Sequence, residues 1–158
     1  MNIKKTFSFF ISVIITGAYL LSASASANTL ARFEQQLNQY KGKVVYLDFW
    51  ASWCVPCRRS FPWMNEIQTQ YRDKGLVVLS VNLDADQTFA TQFLNEVPAN
   101  FAIFYDPKGA VAKAFKLRGM PSSYLIDRSG KRVSAHVGFN EKKKALYQAE
   151  LEQLLAQQ

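Results

Sequence analysis

The chain has 158 residues, 49% of them hydrophobic and 20% charged, a balance that suits one globular domain and excludes a disordered or low-complexity chain. Twelve Phe, seven Tyr and three Trp supply material for a core. The formal net charge is +7, but the basic residues are dispersed and the densest run, Lys142-Lys143-Lys144, opens an exposed helix. A solvated face is therefore expected there, and no nucleic-acid partner.

Asn2-Ile3-Lys4-Lys5 is a short basic leader, Thr6 to Leu21 is uncharged and mostly apolar, and Ser22 to Ala27 is small and ends in an Ala-x-Ala pattern. This is the layout of a secretory signal peptide. It predicts cleavage after Ala27 and a mature domain over 28–158 with a net charge of +5. The alternative is a retained membrane anchor, for which the apolar run falls short of the ~20 residues of a spanning helix. No cysteine stands near the cleavage site to take a lipid.

Thr29 to Tyr40 carries Leu30, Phe33, Leu37 and Tyr40 at spacings of three and four, which predicts an amphipathic helix stopped by Lys41-Gly42-Lys43. Val44 to Trp50 is β-branched, aromatic and nearly continuous in hydrophobicity, as in a strand covered on both faces. From Val55 the pattern turns helical. Pro56 lies in the first turn, where its missing N–H costs nothing, and Phe61, Met64, Ile67 and Tyr71 form one stripe. Pro62 is expected to kink this helix, and Asp73-Lys74-Gly75 to end it. Leu76 to Leu83 reads as a second buried strand. Asp86 to Val97 reads as a helix with Phe89, Phe93, Leu94 and Val97 inward. A short strand (Phe101 to Tyr105), a short helix (Ala110 to Phe115) and a turn at Gly119-Met120-Pro121 come next. Ser122 to Ile126 and Arg132 to Val137 flank a hairpin loop, Arg128-Ser129-Gly130-Lys131, and are the clearest antiparallel signal. The last helix, Glu141 to about Ala156, turns Leu146, Leu151, Leu154 and Leu155 inward. The fold class is α/β, a mixed central sheet flanked by helices. Its first strand delivers residues 51–57 to the sheet's edge, where chemistry collects in such folds.

The only two cysteines, Cys54 and Cys57, stand there, two residues apart. A structural disulfide stabilises by closing a long loop, and this pair closes almost none, so it suits cycling between dithiol and disulfide. Exchange needs a thiolate, and unpaired N–H groups at a helix N-terminus favour one. Cys54, at the helix start, is read as the attacking nucleophile. Cys57, one turn further in and more buried, is read as the residue that resolves the mixed disulfide. A zinc site would need two more ligands, and the lone His136 lies in a strand; it reads as a surface or packing histidine. No metal is expected, and no cofactor beyond the cysteine pair.

Asp48-Phe49-Trp50-Ala51-Ser52-Trp53-Cys54-Val55-Pro56-Cys57 closely resembles the thioredoxin active site, and Lys43 to Phe139 resembles the exported TlpA/ResA-like thiol-disulfide oxidoreductases. Arg58-Arg59-Ser60-Phe61-Pro62 continues the motif into the helix with the family's kinking proline. Gly119-Met120-Pro121-Ser122-Ser123-Tyr124 resembles the cis-proline loop, and Leu125-Ile126-Asp127-Arg128-Ser129-Gly130 with Val137-Gly138 the terminal hairpin. Phe101 to Phe115 looks like the family's central βα insertion. The resemblance implies a thioredoxin-like fold with a cis Met120-Pro121 bond whose loop faces the cysteines. The backbone of Met120 would pair with the substrate chain. Asp48 matches thioredoxin's buried acid, a carboxylate made basic by desolvation that moves protons to and from Cys57. Trp50 is read as packing and Trp53 as a partly exposed contact surface beside Cys54.

These readings converge on an exported thiol-disulfide oxidoreductase acting on protein disulfides or thiols in the periplasm or another extracytoplasmic space, as a monomer. The spacer Val55-Pro56 carries no cation to over-stabilise the Cys54 thiolate, as strong oxidants require, so a reductant is expected. The resemblance implies a membrane thiol-electron donor, and clients such as apocytochrome c or the copper-site cysteines of an oxidase. The alternatives are a disulfide-forming oxidase or isomerase and a copper metallochaperone using the two thiolates, with Met64 or Met120 as a further ligand. A thiol peroxidase would need a Pro/Thr-framed cysteine that this sequence lacks.

Overall fold

A computed structural model describes residues 25–157. The expected signal peptide, 1–27, lies almost wholly outside the described residues. Helical residues 25–38 form α1. Then come β1 (Val44–Trp50), α2 (Val55–Tyr71), β2 (Leu76–Asn82), α3 (Gln87–Glu96), β3 (Ala102–Tyr105), α4 (Ala110–Ala114), β4 (Ser122–Ile126), β5 (Arg132–Val137) and α5 (Glu141–Ala156). The five strands form one sheet in the order β3-β2-β1-β4-β5. β1 pairs parallel with β2 and β2 with β3, whereas β4 runs antiparallel to β1 and β5 to β4. The sheet is mixed, as expected, and β3 with α4 is the inserted βα unit.

Every residue of the central β1 is buried, and its alternation sorts the core into two layers. Val44, Tyr46 and Trp50 face one cluster with Phe61, Met64 and Ile67 of α2, Phe93 of α3, and Tyr147 and Leu151 of α5. Val45, Leu47 and Phe49 face the other, with Phe33 of α1 and Val111 of α4. A strand covered on both faces needs apolar residues at odd and even positions alike, which is why Val44 to Trp50 reads as one continuous run. The polar exception on the α2/α5 face is Asp48.

Element boundaries agree closely with the sequence pattern, and two side chains depart from it. Phe89 and Leu146, expected inward, are exposed. On α3 the buried or core-packed residues are Ala90, Phe93, Leu94 and Val97. Their centre lies about 90° around the helix from Phe89 at ~100° per residue. On α5 the inward positions belong to Tyr147, Leu151, Leu154 and Leu155, and Leu146 sits one residue off that stripe. α1 stops at residue 38, short of the expected Tyr40, where the Tyr40 N–H donates to the Leu37 carbonyl in a tightened last turn. α2 runs on through Pro62 and ends in a 3-10 turn, Arg72–Lys74, capped by Gly75 at φ 87.

Candidate active site

β1 ends at Trp50, whose buried ring lies 4.8 Å from both Phe61 and Phe93. These contacts lock the start of α2 against the sheet, each aromatic pair adding about 0.5–1.5 kcal/mol beyond its buried area. Between strand and helix the chain must turn, and Asp84, just past the end of β2, holds the turn. Its carboxylate accepts from the Ser52 N–H at 3.0 and 3.2 Å, from the Ser52 hydroxyl at 2.8 Å and from the Asn82 amide at 2.7 Å. The Cys54 N–H then donates to the Ala51 carbonyl at 3.0 Å, closing the turn.

Cys54 is the N-cap of α2 in extended conformation, with Pro56 in the first turn and no acidic residue there to oppose a thiolate. Cys54 and Cys57 are joined as a disulfide, their Cα atoms 5.3 Å apart. In this oxidised state both are buried, Cys57 fully and Cys54 4% exposed. The flanking surface is far more open. Trp53 is 70% exposed, more than the partial exposure expected of it, and Val55 is exposed as well. Trp50 is packing, as expected, its indole N–H donating to Ser80 Oγ at 3.1 Å.

The Met120-Pro121 bond is cis. Its loop is fastened by the Gly138 N–H donating to the Pro121 carbonyl at 2.8 Å and by the Ser122 hydroxyl donating to the Gly119 carbonyl at 2.6 Å. Met120 is partly buried and packs against the core cluster that contains both cysteines. Met64 is fully buried in that cluster.

Asp48 is 1% exposed. By alternation it shares the sheet face of Tyr46 and Trp50, the face α2 covers. Burial pushes its carboxyl well above the usual aspartate range, and Oδ2 has no hydrogen-bond partner. The Tyr46 phenol is raised by its own burial and then by the charge of Asp48.

Two groupings escaped the sequence reading. One is the Ser52-Asp84-Asn82 clamp, whose only signal was a polar pair, Asn82 and Asp84, closing an apolar strand. The other surrounds His136, which is neither a surface residue nor simple packing. It is 8% exposed, and hydrogen-bond partners meet both ring nitrogens. Ser122 and Ser123, two polar residues opening an otherwise apolar strand, were the available clue.

The fold and this site define a thioredoxin-fold protein with a disulfide-forming cysteine pair at a helix N-terminus. The chain belongs to the Redoxin family, whose model matches residues 22–155. Among curated proteins it is 33% identical over 98 residues to the thiol-disulfide oxidoreductase ResA of Bacillus thuringiensis subsp. konkukian, covering 62% of this chain and 57% of that one. It is 36% identical over 95 residues to ResA of Oceanobacillus iheyensis, covering 60% and 50%. The chain thus spans about half the length of these relatives. A crystal structure from Chlorobium tepidum, of a protein assigned as a thiol:disulfide interchange protein DsbE, is 49% identical with a TM-score of 0.75, covering 76% of this chain and 85% of that one. The exposed lipoprotein thioredoxin Etrx1 of Streptococcus pneumoniae is 34% identical with a TM-score of 0.63, covering 73% and 89%.

Proposed function

We propose that this protein is an exported thiol-disulfide oxidoreductase that reduces disulfides in client proteins. The observation that carries the reading is the Cys54–Cys57 disulfide at the N-cap of α2, buried itself but rimmed by exposed Trp53 and Val55. An exposed apolar rim around a recessed sulfur suits a protein client, with Trp53 supplying contact area. The basic and apolar leader supports export, as does a cysteine pair of a kind that persists where thiols are not held reduced. Among the described residues no helix is long and apolar enough to cross a membrane.

In the reduced protein the Cys54 thiolate, at the helix N-terminus, attacks a client sulfur. The client disulfide breaks, one client sulfur leaves as thiolate, and Cys54 holds the other in a mixed disulfide. Cys57 then loses its proton to the Asp48 carboxylate and attacks Cys54. The Cys54–Cys57 bond forms as the second client sulfur leaves with its electron pair. The Met120-Pro121 loop presents backbone to the client chain beside the pair. A dithiol donor, in our reading a membrane thiol carrier, restores the reduced state. Clients of the cytochrome or copper-site class fit this role.

The direction rests on the spacer. Val55-Pro56 offers no cation to trap the Cys54 thiolate, and strong oxidants owe their potential to such a trap. Equilibration of the pair against glutathione and a reference dithiol tests this. A potential below about −180 mV supports a reductant, and one near the roughly −120 mV of a strong oxidase overturns it.

A further inference from the structure

The sheet ends at β5, and one of its faces is left open there. Ala135 and Val137 pair in register with Tyr124 and Ser122 of β4, so they share the face that α1 and α4 cover elsewhere. Both are exposed. Between them and the segment after α4 lies a groove of about 380 Å³. Its floor is aromatic. The Phe115 and Tyr124 ring centroids are 5.1 Å apart, and the Tyr124 hydroxyl donates to the Phe115 carbonyl at 3.1 Å. One end abuts the cis-proline loop: the Gly138 N–H, next to Val137, donates to the Pro121 carbonyl, and a Cβ at Gly119 would stand 3.5 Å from Val137 Cγ1.

The walls of the groove are basic. Lys116, Arg118 and Arg132 line it, all three exposed, and no Asp or Glu stands among its described lining residues. Strict alternation from Ser134 and His136 would aim Arg132 at α5. A β-bulge prevents this: Ser134 pairs with Leu125 but Arg132 with Ile126, which re-aims Arg132 onto the Tyr124 face. Its guanidinium lies 5.1 Å from the Tyr124 centroid and 5.7 Å from that of Phe115. Such stacking leaves the N–H edge of the guanidinium free for a carboxylate. Burial raises the Tyr124 phenol, and the charges of Arg132 and Arg118 oppose the rise, as cations near its hydroxyl do. Lys116 sits at φ 53, so the turn after α4 carries a lysine where glycine is the unstrained choice. Among the described residues none of the three cations forms an ion pair.

We propose that this groove is a specificity subsite for client proteins, taking an extended acidic segment that flanks the client cysteine. It rests on the reading of the cysteine pair as a reductant of client disulfides, and adds the class of client. Charge complementarity selects the occupant. Cations clustered over an aromatic floor raise the local concentration of an anionic chain. A concave groove admits an extended chain to its floor, which a flat lipid surface cannot reach. The reach follows from β5. Val137, beside the loop, and Arg132 are the two ends of that strand, about 16 Å apart at ~3.3 Å per residue. Acidic side chains within about five residues of the client cysteine therefore meet the cations.

Reduced protein is mixed with a symmetric peptide disulfide that carries Glu on both sides of its cysteine, and separately with the Gln counterpart. Each rate is divided by that of dithiothreitol with the same peptide, which removes intrinsic differences in reactivity. At about 20 mM salt the Glu peptide should be favoured about tenfold, and at about 0.5 M salt the preference should vanish. Lys116→Gln with Arg118→Gln should leave about twofold, the share of the cation that remains. Lys41→Gln with Lys142→Gln removes the same charge from exposed positions elsewhere and should leave the preference intact. Arg118→Glu should slow the Glu peptide and speed a Lys peptide, a change of sign that loss of folding cannot produce. Equal rates with the Glu and Gln peptides in the unaltered protein overturn the subsite while the reductase reading stands. Reduction of neither peptide removes that reading and the subsite with it. A preference that survives in the groove variant, or falls equally in the Lys41 and Lys142 variant, belongs to overall charge and overturns the proposal. If the peptides react alike and the groove variant instead abolishes sedimentation with phosphatidylglycerol vesicles, the face meets a membrane and the proposal fails.

Discussion

Replacing Asp48 by Asn should stabilise the oxidised protein at neutral pH while it damages turnover. Asp48 is fully enclosed, and its Oδ2 meets no donor. In the unfolded chain the same carboxyl ionises at the ordinary aspartate value. Between that value and the raised folded one, the native state binds the extra proton, so stability falls as pH rises through this window and levels off above it. Asn removes the ionisation and with it the slope. Each unit of displacement is worth about 1.4 kcal/mol, and since the Asn amide meets the same lack of partners, the ionisation cost alone is recovered. For a domain of this size a gain of that order raises Tm by roughly 4–10 °C. Thermal melts of both proteins, disulfide intact, near pH 7 and near pH 3 provide the assay. The gap should be present at neutral pH and close in acid, where Asp48 is protonated folded or unfolded. Equal melting at neutral pH, or a gap that widens in acid, would refute the reasoning.

Asp84→Ala strands the Ser52 N–H and hydroxyl and the Asn82 amide, and should cost about 2–4 kcal/mol, read as a lower urea midpoint at unchanged slope. Because the clamp holds the turn before Cys54, the same variant should slow attack by Cys54 on a small disulfide more than an equally destabilising Leu79→Ala in the layer on the other face of the sheet. Trp53→Ala touches an exposed ring, so stability should stay within about 0.5 kcal/mol while KM for a protein disulfide rises and the rate with a small disulfide does not. Gly75→Ala puts a Cβ 2.9 Å from the Arg128 guanidinium at a positive φ, and should lower stability by about 1–2 kcal/mol with no change in redox potential.

Much of this architecture is legible in the sequence because local and tertiary preferences agree. Val44 to Trp50 is both β-prone and apolar on two faces, Pro56 suits the first turn it occupies, and Gly75 sits where a left-handed residue is needed. β4 and β5 have their observed limits because the loop between them is rich in turn residues. The misplacements of Phe89 and Leu146 show where such reading fails. A large apolar residue beside a helical stripe is indistinguishable from one on it until the partner layer is known, and Tyr147, with its hydroxyl, was the better fit for a core position near backbone carbonyls. The cysteine pair was legible because its spacing is chemistry in itself. The clamp at Asp84 and the grouping around His136 were not, since each depends on strand register between residues distant in the chain.

The central claim is that Cys54 attacks and Cys57 resolves. Cys57→Ser and Cys54→Ser variants, each affinity-tagged and expressed with the leader intact, measure it by the mixed disulfides recovered under non-reducing conditions. Cys57→Ser should retain client proteins on Cys54, released by dithiol, and Cys54→Ser should retain few or none. Equal trapping by both variants, or none by Cys57→Ser, would contradict the account.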